Sequence, residues 1–253
     1  MASAERAGAA EEAALATRLA ALRARVEAAA RRAGRDPGAV RIIGASKRQP
    51  AGRVAAAARA GLRDFGENYV QEAARKISEV RELLGPTAAG ELRWHGIGHL
   101  QRNKAREAVA AFACLHAVDS ARLAAELEKH AAAAGRVLSV LVQVNVSREA
   151  TKSGVEEDAL PALLAGLAGH PHLRAVGLMA MPAPAADPEA ARPAFARLRA
   201  LRDELRDAPG GAALVELSMG MSHDFEVAVE EGATWVRIGT DLFGPRPGDR
   251  EDA

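Results

Sequence analysis

A closed (β/α)8 barrel of the TIM type, with an extra helix before it, is the α/β fold that this sequence predicts. Strand-like and helix-like stretches alternate strictly along the chain, which implies parallel strands joined by helical crossovers. Eight such units fit within 253 residues, the usual size of a barrel of this kind. The first strand–helix turn also lacks the glycine fingerprint that an open dinucleotide-binding sheet carries there.

The elements follow in order. From about 9 to 34 the chain is dominated by Ala, Leu, Arg and Glu, and Leu15, Leu19, Leu22 and Val26 recur at helical spacing. Gly34 and Asp36-Pro37-Gly38 stop this helix. The barrel occupies about 40–244. Arg41–Ser46 is the first strand, and Arg41 to Ala45 is apolar after its first residue, as a strand covered on both faces should be. Pro50 closes that run and opens a helix that ends near Gly61. The second strand is Asp64–Asn68, and Val70, Ala73, Ala74, Ile77, Val80 and Leu83 mark the helix after it, closed by Gly85-Pro86. Arg93–His99 is the third strand and 103–111 its helix. Cys114–Val118 is the fourth, and Asp119-Ser120 caps the helix Ala121–Ala134. Ser139–Val146 is rich in β-branched residues and precedes the helix Glu157–Ala168. Ala175–Met181, Val215–Ser218 and Thr234–Gly239 are the last three strands, with helices at Glu189–Arg206 and Phe225–Glu231 between them. No linker or shift of composition divides the chain, so residues 1–253 read as a single domain.

Composition narrows the functional classes. Lys and Arg total 34 against 33 for Asp and Glu, which gives nucleic acid or an anionic membrane no general attraction. Any anion site is therefore local. The one cysteine, Cys114, rules out an intramolecular disulfide and a zinc-type cysteine cluster, and it suits a reducing cytosol. No apolar run reaches the length of a membrane helix, and Glu5, Glu11 and Glu12 argue against a targeting peptide. A cytoplasmic location is the expectation.

In a barrel the site lies at the C-terminal rim of the strands. Lys47 stands where the first strand hands over to a loop. There it is either a solvated rim residue or an amine nucleophile towards an aldehyde. Ser218-Met219-Gly220-Met221-Ser222 and Gly239-Thr240 follow consecutive strands, seven and eight, where barrels frequently hold a phosphate. Glycine lets backbone N–H groups approach an anion, and the hydroxyls add donors. Arg237 lies inside the apolar run Trp235-Val236-Arg237-Ile238 and needs a partner. Either a carboxylate or a ligand ring above it meets that need. A lysine amine, a phosphate cup and a buried arginine on one rim suit pyridoxal 5′-phosphate (PLP). Lys47 is its Schiff-base partner, Ser218, Ser222, Gly239 and Thr240 take the phosphate, and Arg237 sits near the pyridine nitrogen. His95 and His99 do not share a strand face and read as rim or core histidines, not metal ligands. Cys114 reads as inert.

The same residues carry a resemblance. Ala45-Ser46-Lys47 with Pro50, Phe65-Gly66-Glu67-Asn68-Tyr69, Trp94-His95 with Ile97-Gly98, Lys152-Ser153-Gly154, Gly177-Leu178-Met179-Ala180, Leu217 to Ser222 with Asp224, and Val236-Arg237-Ile238-Gly239-Thr240 with Phe243-Gly244 resemble the pyridoxal-phosphate homeostasis proteins. These are barrels of the alanine-racemase N-terminal type, fold type III among PLP proteins. The resemblance implies PLP held covalently on Lys47, with Asn68 close to it, Arg237 facing the ring nitrogen, and Ser218, Ser222, Gly239 and Thr240 at the phosphate. The cofactor-binding set is then Lys47, Asn68, Ser218, Met219, Ser222, Arg237, Gly239 and Thr240, with no catalytic residue and no metal ligand. It further implies a monomer that binds, buffers or delivers PLP, with PLP-dependent apoenzymes as acceptors, and that keeps vitamin B6 and amino-acid pools balanced without turnover. One departure is Gly96, where a bulky apolar residue is usual. A weakly active amino-acid racemase is the alternative. It needs a second acid/base opposite the lysine, which alanine racemases draw from a C-terminal domain that the sequence ending at Ala253 does not carry. A third reading, a phosphate-metabolite isomerase with Lys47 only in an ion pair, predicts no coloured adduct.

Overall fold

The structure is a computed structural model that describes residues 2–147 and 153–244. Its strands are β1 (Arg41–Ala45), β2 (Asp64–Glu67), β3 (Arg93–Gly96), β4 (Cys114–Val118), β5 (Leu138–Gln143), β6 (Leu173–Met179), β7 (Glu216–Met221) and β8 (Trp235–Ile238). They form a closed parallel barrel in sequence order, with β8 paired to β1 through Ile43 opposite Arg237. Helices α1 (Ala2–Arg32), α2 (Ala51–Arg59), α3 (Val70–Leu84), α4 (Pro86–Gly90), α5 (Ala105–Ala111), α6 (Ala121–Ala133), α7 (Leu160–Ala168), α8 (Arg192–Glu204), α9 (Phe225–Glu230) and α10 (Thr240–Phe243) surround it.

The N-terminal helix is not an appendage. Among the described residues, β8 is followed only by the four residues of α10, too short to cover the outside of β8 and β1. Helix α1 fills that gap, packing against α2, α9 and α10. Its stripe of Leu15, Leu19, Leu22, Val26, Ala29 and Ala30 is buried there. Arg25 bonds to Glu226 and Asp241 and lies 4.5 Å over the Phe225 ring, which fixes where α1 sits along α9.

Three strand ends differ by three residues from the sequence expectation, and the others by at most two. β3 stops at Gly96, so Ile97 to His99 belong to the loop. β5 stops at Gln143, and Val144 makes a lone bridge to Val155. β7 continues to Met221, so the Ser218–Met221 stretch is strand and not loop. There Ser218 opposes Trp235 while Met221 opposes Arg237, one residue too many on β7. The bulge is possible because Gly220 adopts φ 88° and a Cβ on it would stand 2.6 Å from Ala228. Gly96 is also explained by packing. A Cβ there would meet Leu115 at 2.5 Å and Phe112 at 3.0 Å, so those side chains already fill the space.

Alternation along the strands makes two cores. The larger lies between barrel and helices. The smaller comprises Ile43, Cys114, Ala117, Leu141, Val176, Met179 and Trp235. Beside it are five buried polar residues: Asp64, His95, His116, Ser218 and Arg237.

Candidate functional site

Lys47 is half-buried in the turn just past β1. Gln49 N–H closes this turn onto the Ser46 carbonyl at 3.0 Å. Arg48 is the one non-glycine residue among those described with a left-handed backbone, φ 59°. Such a conformation costs on the order of 1 kcal/mol and persists only where surroundings impose it. The surroundings are a buried ionic cluster. Lys76 Nζ, on α3, donates to the Ser46 carbonyl (2.6 Å), Glu67 Oε1 (2.7 Å) and Glu72 Oε1 (2.9 Å). Ser46 Oγ donates to Glu67 Oε1 at 2.7 Å, and Arg48 N–H to Glu72 Oε1 at 2.6 Å. Burial pushes the Glu67 carboxyl above its ordinary value, with Lys76 and Ser46 offsetting it only in part. Sequence reasoning missed this clamp. Its signal was available: Lys76 falls on the buried stripe of α3 between Ala73 and Val80.

The other expected residues fall on the neighbouring segments. Asn68 follows β2, half-buried, and the β3 loop closes directly on it. A Cβ at Gly98 would stand 2.8 Å from the Asn68 Cα and carbonyl oxygen. Ser222 Oγ accepts from the N–H groups of Gly239 (3.3 Å) and Asp241 (3.4 Å), which brings the β7 and β8 loops together. Thr240 is exposed beside them. The Met219 side chain is fully buried in the outer core, which leaves only its backbone near the rim.

Ser218 stands apart from Ser222. It lies one layer lower, where its Oγ accepts from Arg237 Nη1 at 2.6 Å and meets His116 Nδ1 at 2.8 Å. Arg237 Nη2 donates to the Ala180 carbonyl at 3.0 Å. Among the described residues this buried guanidinium has no carboxylate in contact. Burial lowers it to about 10, partly countered by the charge of Asp224, so it stays protonated at neutral pH.

Beneath Ser218 the polar residues continue. His116 Nε2 meets His95 Nδ1 at 3.0 Å, and His95 Nε2 meets Asp64 Oδ1 at 3.0 Å. Arg93 grips both Asp64 oxygens at 2.6 Å. Cys114 also lies here, and the ligand atoms of His95, Cys114 and His116 fall within 4.8 Å of one another. The imidazole nitrogens, however, are already bonded to each other, to Asp64 and to Ser218, and burial pushes the Cys114 thiol up, against the thiolate a metal requires. His99 is at the surface, 3.5 Å from the Asp119 carboxylate. Of the expected Asp119-Ser120 cap, Ser120 caps α6 by accepting from Leu123 N–H at 3.4 Å, and Asp119 does not. Lys152 lies outside the described residues. The Ser153 carbonyl accepts from Gln143 Nε2 at 2.9 Å, and Gly154 abuts Asn145.

Asp64 gives the fold a pH dependence. Burial opposes its ionisation, but the bonds from His95 and Arg93 outweigh burial and hold it at about 2, below its ordinary 3.8. A depressed acid stabilises the fold above its unfolded value and stops doing so as pH falls through the folded one. Unfolding midpoints should therefore drop as pH falls from about 4 to about 2. Asp64→Asn should flatten that part of the profile; an unchanged profile would assign the acid transition to other carboxylates.

The sequence signature described as "Alanine racemase, N-terminal domain" matches residues 17–247. The chain is 47% identical over 232 residues to the pyridoxal phosphate homeostasis protein of Pseudomonas aeruginosa, covering 92% of this chain and 96% of that one. It belongs to the family of pyridoxal phosphate homeostasis proteins. Another member, from Aquifex aeolicus, is 43% identical over 222 residues, 88% of this chain and 94% of its own. Among solved structures, PipY of Synechococcus elongatus with PLP bound superposes with a TM-score of 0.78 at 38% identity, covering 91% of this chain and all of that one. The family's closed (β/α)8 architecture is thus the architecture seen here.

Proposed function

We propose that this protein is a single-domain, monomeric carrier of PLP. It serves vitamin B6 and amino-acid balance in the cytoplasm and passes PLP to PLP-dependent apoenzymes. The observation that carries the reading is Arg237, a buried guanidinium bonded only to a hydroxyl and a carbonyl among the described residues. A cation so placed suits an uncharged acceptor above it, such as a pyridine nitrogen. The residues fit the rest of the cofactor too. Ser222, Gly239 and Thr240 offer hydroxyl and backbone donors for a phosphate, and Asn68 borders the same mouth from β2. Lys47 lies at the rim, two residues past the end of β1, the strand whose Ile43 pairs with Arg237 of β8. Its amine would hold the cofactor covalently by condensing with the aldehyde, with loss of water. Ser218 belongs in this reading to Arg237 and not to the phosphate.

Bound PLP supplies an electrophilic carbon and an electron sink. An arginine at the ring nitrogen keeps that nitrogen unprotonated and weakens the sink, which favours carriage over turnover. Tyr69, the only tyrosine, is 55% exposed and lacks the enclosure that tunes a catalytic acid/base. The near-balanced charge gives nucleic acid no general attraction, and no helix among the described residues is long and apolar enough to cross a membrane. The PLP-bound relative PipY supports the choice of ligand.

The test is an absorbance spectrum of the protein with added PLP, followed by borohydride reduction and peptide mapping. A visible band, fixed by reduction to a peptide containing Lys47, is expected. A colourless protein under saturating PLP would overturn the reading and bring forward a different phosphate metabolite.

A further inference from the structure

We infer that His116, backed by His95 and Asp64, is a positioning residue for Arg237: a single directed line of hydrogen bonds through the barrel fixes the face that the guanidinium offers to the cofactor's ring nitrogen. This rests on the role given to Arg237 above. The line begins at the N-terminal face, where Arg93 holds Asp64, and ends under the rim, where Ser218 holds Arg237.

Its direction follows from what each group can do. The Asp64 carboxylate only accepts, so His95 Nε2 carries a proton and donates to it. With His95 neutral, its Nδ1 accepts, and His116 Nε2 must donate. With His116 neutral, its Nδ1 accepts, and the Ser218 hydroxyl must donate. Ser218 then turns a lone pair towards Arg237, which only donates. Both ends therefore impose the same order, and each bond along it is satisfied. The reverse order needs an imidazolium in an interior that already holds the Arg237 guanidinium. Burial first, with the Arg237 guanidinium adding to it, keeps His116 well below its ordinary value and thus neutral. Trp235 packs on both imidazoles, with ring centroids at 5.2 Å from His95 and 4.8 Å from His116, and walls the line from water.

Position matters here because, among the described residues, two hydrogen bonds alone anchor the guanidinium. A carboxylate partner would lock Arg237 by a bidentate charged pair. Its anchors are instead the Ser218 hydroxyl and the Ala180 carbonyl, and only the second has a fixed direction of its own. The hydroxyl rotates unless its proton is claimed, and His116 claims it.

The test compares PLP with its 1-deaza analogue, in which C–H replaces the ring nitrogen. Affinities for both are measured by titration of the full chain, together with thermal unfolding. Wild type should prefer PLP. His116→Leu should cut that preference about tenfold, the usual scale for losing one hydrogen bond to a charged group. His116→Gln, whose amide can accept from Ser218 and donate to His95, should restore most of it. If His116→Leu does not fold, Ser218→Ala removes the same acceptor from Arg237 and should lower the preference likewise. A preference that survives in the Leu or Ala variant, including the case where both ligands weaken equally, overturns the inference. Failure of wild type to bind PLP would instead overturn the carrier reading itself.

Discussion

Lys47→Ala is expected to lose the visible band formed with PLP and to bind the cofactor on the order of a hundredfold more weakly, about 2.7 kcal/mol. The loss should be confined to the site. The turn that carries Lys47 is held by the Ser46 carbonyl, the Arg48 N–H and the Gln49 N–H, none of which involves the lysine side chain. Residual binding should remain, because Arg237 and the Ser222–Gly239–Thr240 corner are untouched. Lys47→Arg keeps a cation but removes the nucleophilic amine, so it should be equally colourless. A variant that still colours and is still fixed by borohydride would move the attachment to another lysine. Lys76 is a poor candidate, since its amine already makes three hydrogen bonds in a buried setting.

Lys76→Met is expected to destabilise the fold by about 3–5 kcal/mol, the scale for removing one partner of a buried ion pair. Glu67 is fully buried, and its Oε2 has no hydrogen-bond partner among the described residues even with Lys76 present. Without the lysine its carboxyl gains a proton on folding. A group raised in the folded state stabilises at low pH and loses that contribution as pH rises through the folded value. The deficit relative to wild type should hence shrink on acidification. Glu67→Gln added to Lys76→Met should remove that pH dependence and recover part of the loss. The same substitution frees the Ser46 carbonyl, so PLP affinity should fall as well. A stable Lys76→Met protein with wild-type affinity would show that the Lys47 turn holds itself.

How much of this was legible depended on the kind of signal. Alternating strands and helices are local patterns, and glycine or proline punctuates them, so the barrel, its strand order and the rim position of Lys47 could be read directly. The helix over 9–34 was equally plain, but its role was not. Whether α1 is an appendage or part of the barrel's wall depends on its packing against α2, α9 and α10. The bulge in β7 was hidden for a related reason, because a register slip exists only relative to β8.

The buried chemistry divides in the same way. Arg237 announced itself as a charge inside an apolar strand, and its need for a partner followed from elementary electrostatics. Which partner it took did not follow. Ser218 looked like a phosphate ligand because it shares a motif with Ser222, yet the bulge at Gly220 puts the two hydroxyls to different uses. His116 and Asp64 lie 52 residues apart in the chain and join only through His95. The sequence by itself determined which groups are taken out of water, since burial follows from periodicity. Only the tertiary structure decided which of them meet, because hydrogen bonds reach about 3 Å and closing the barrel brings distant strands within that range.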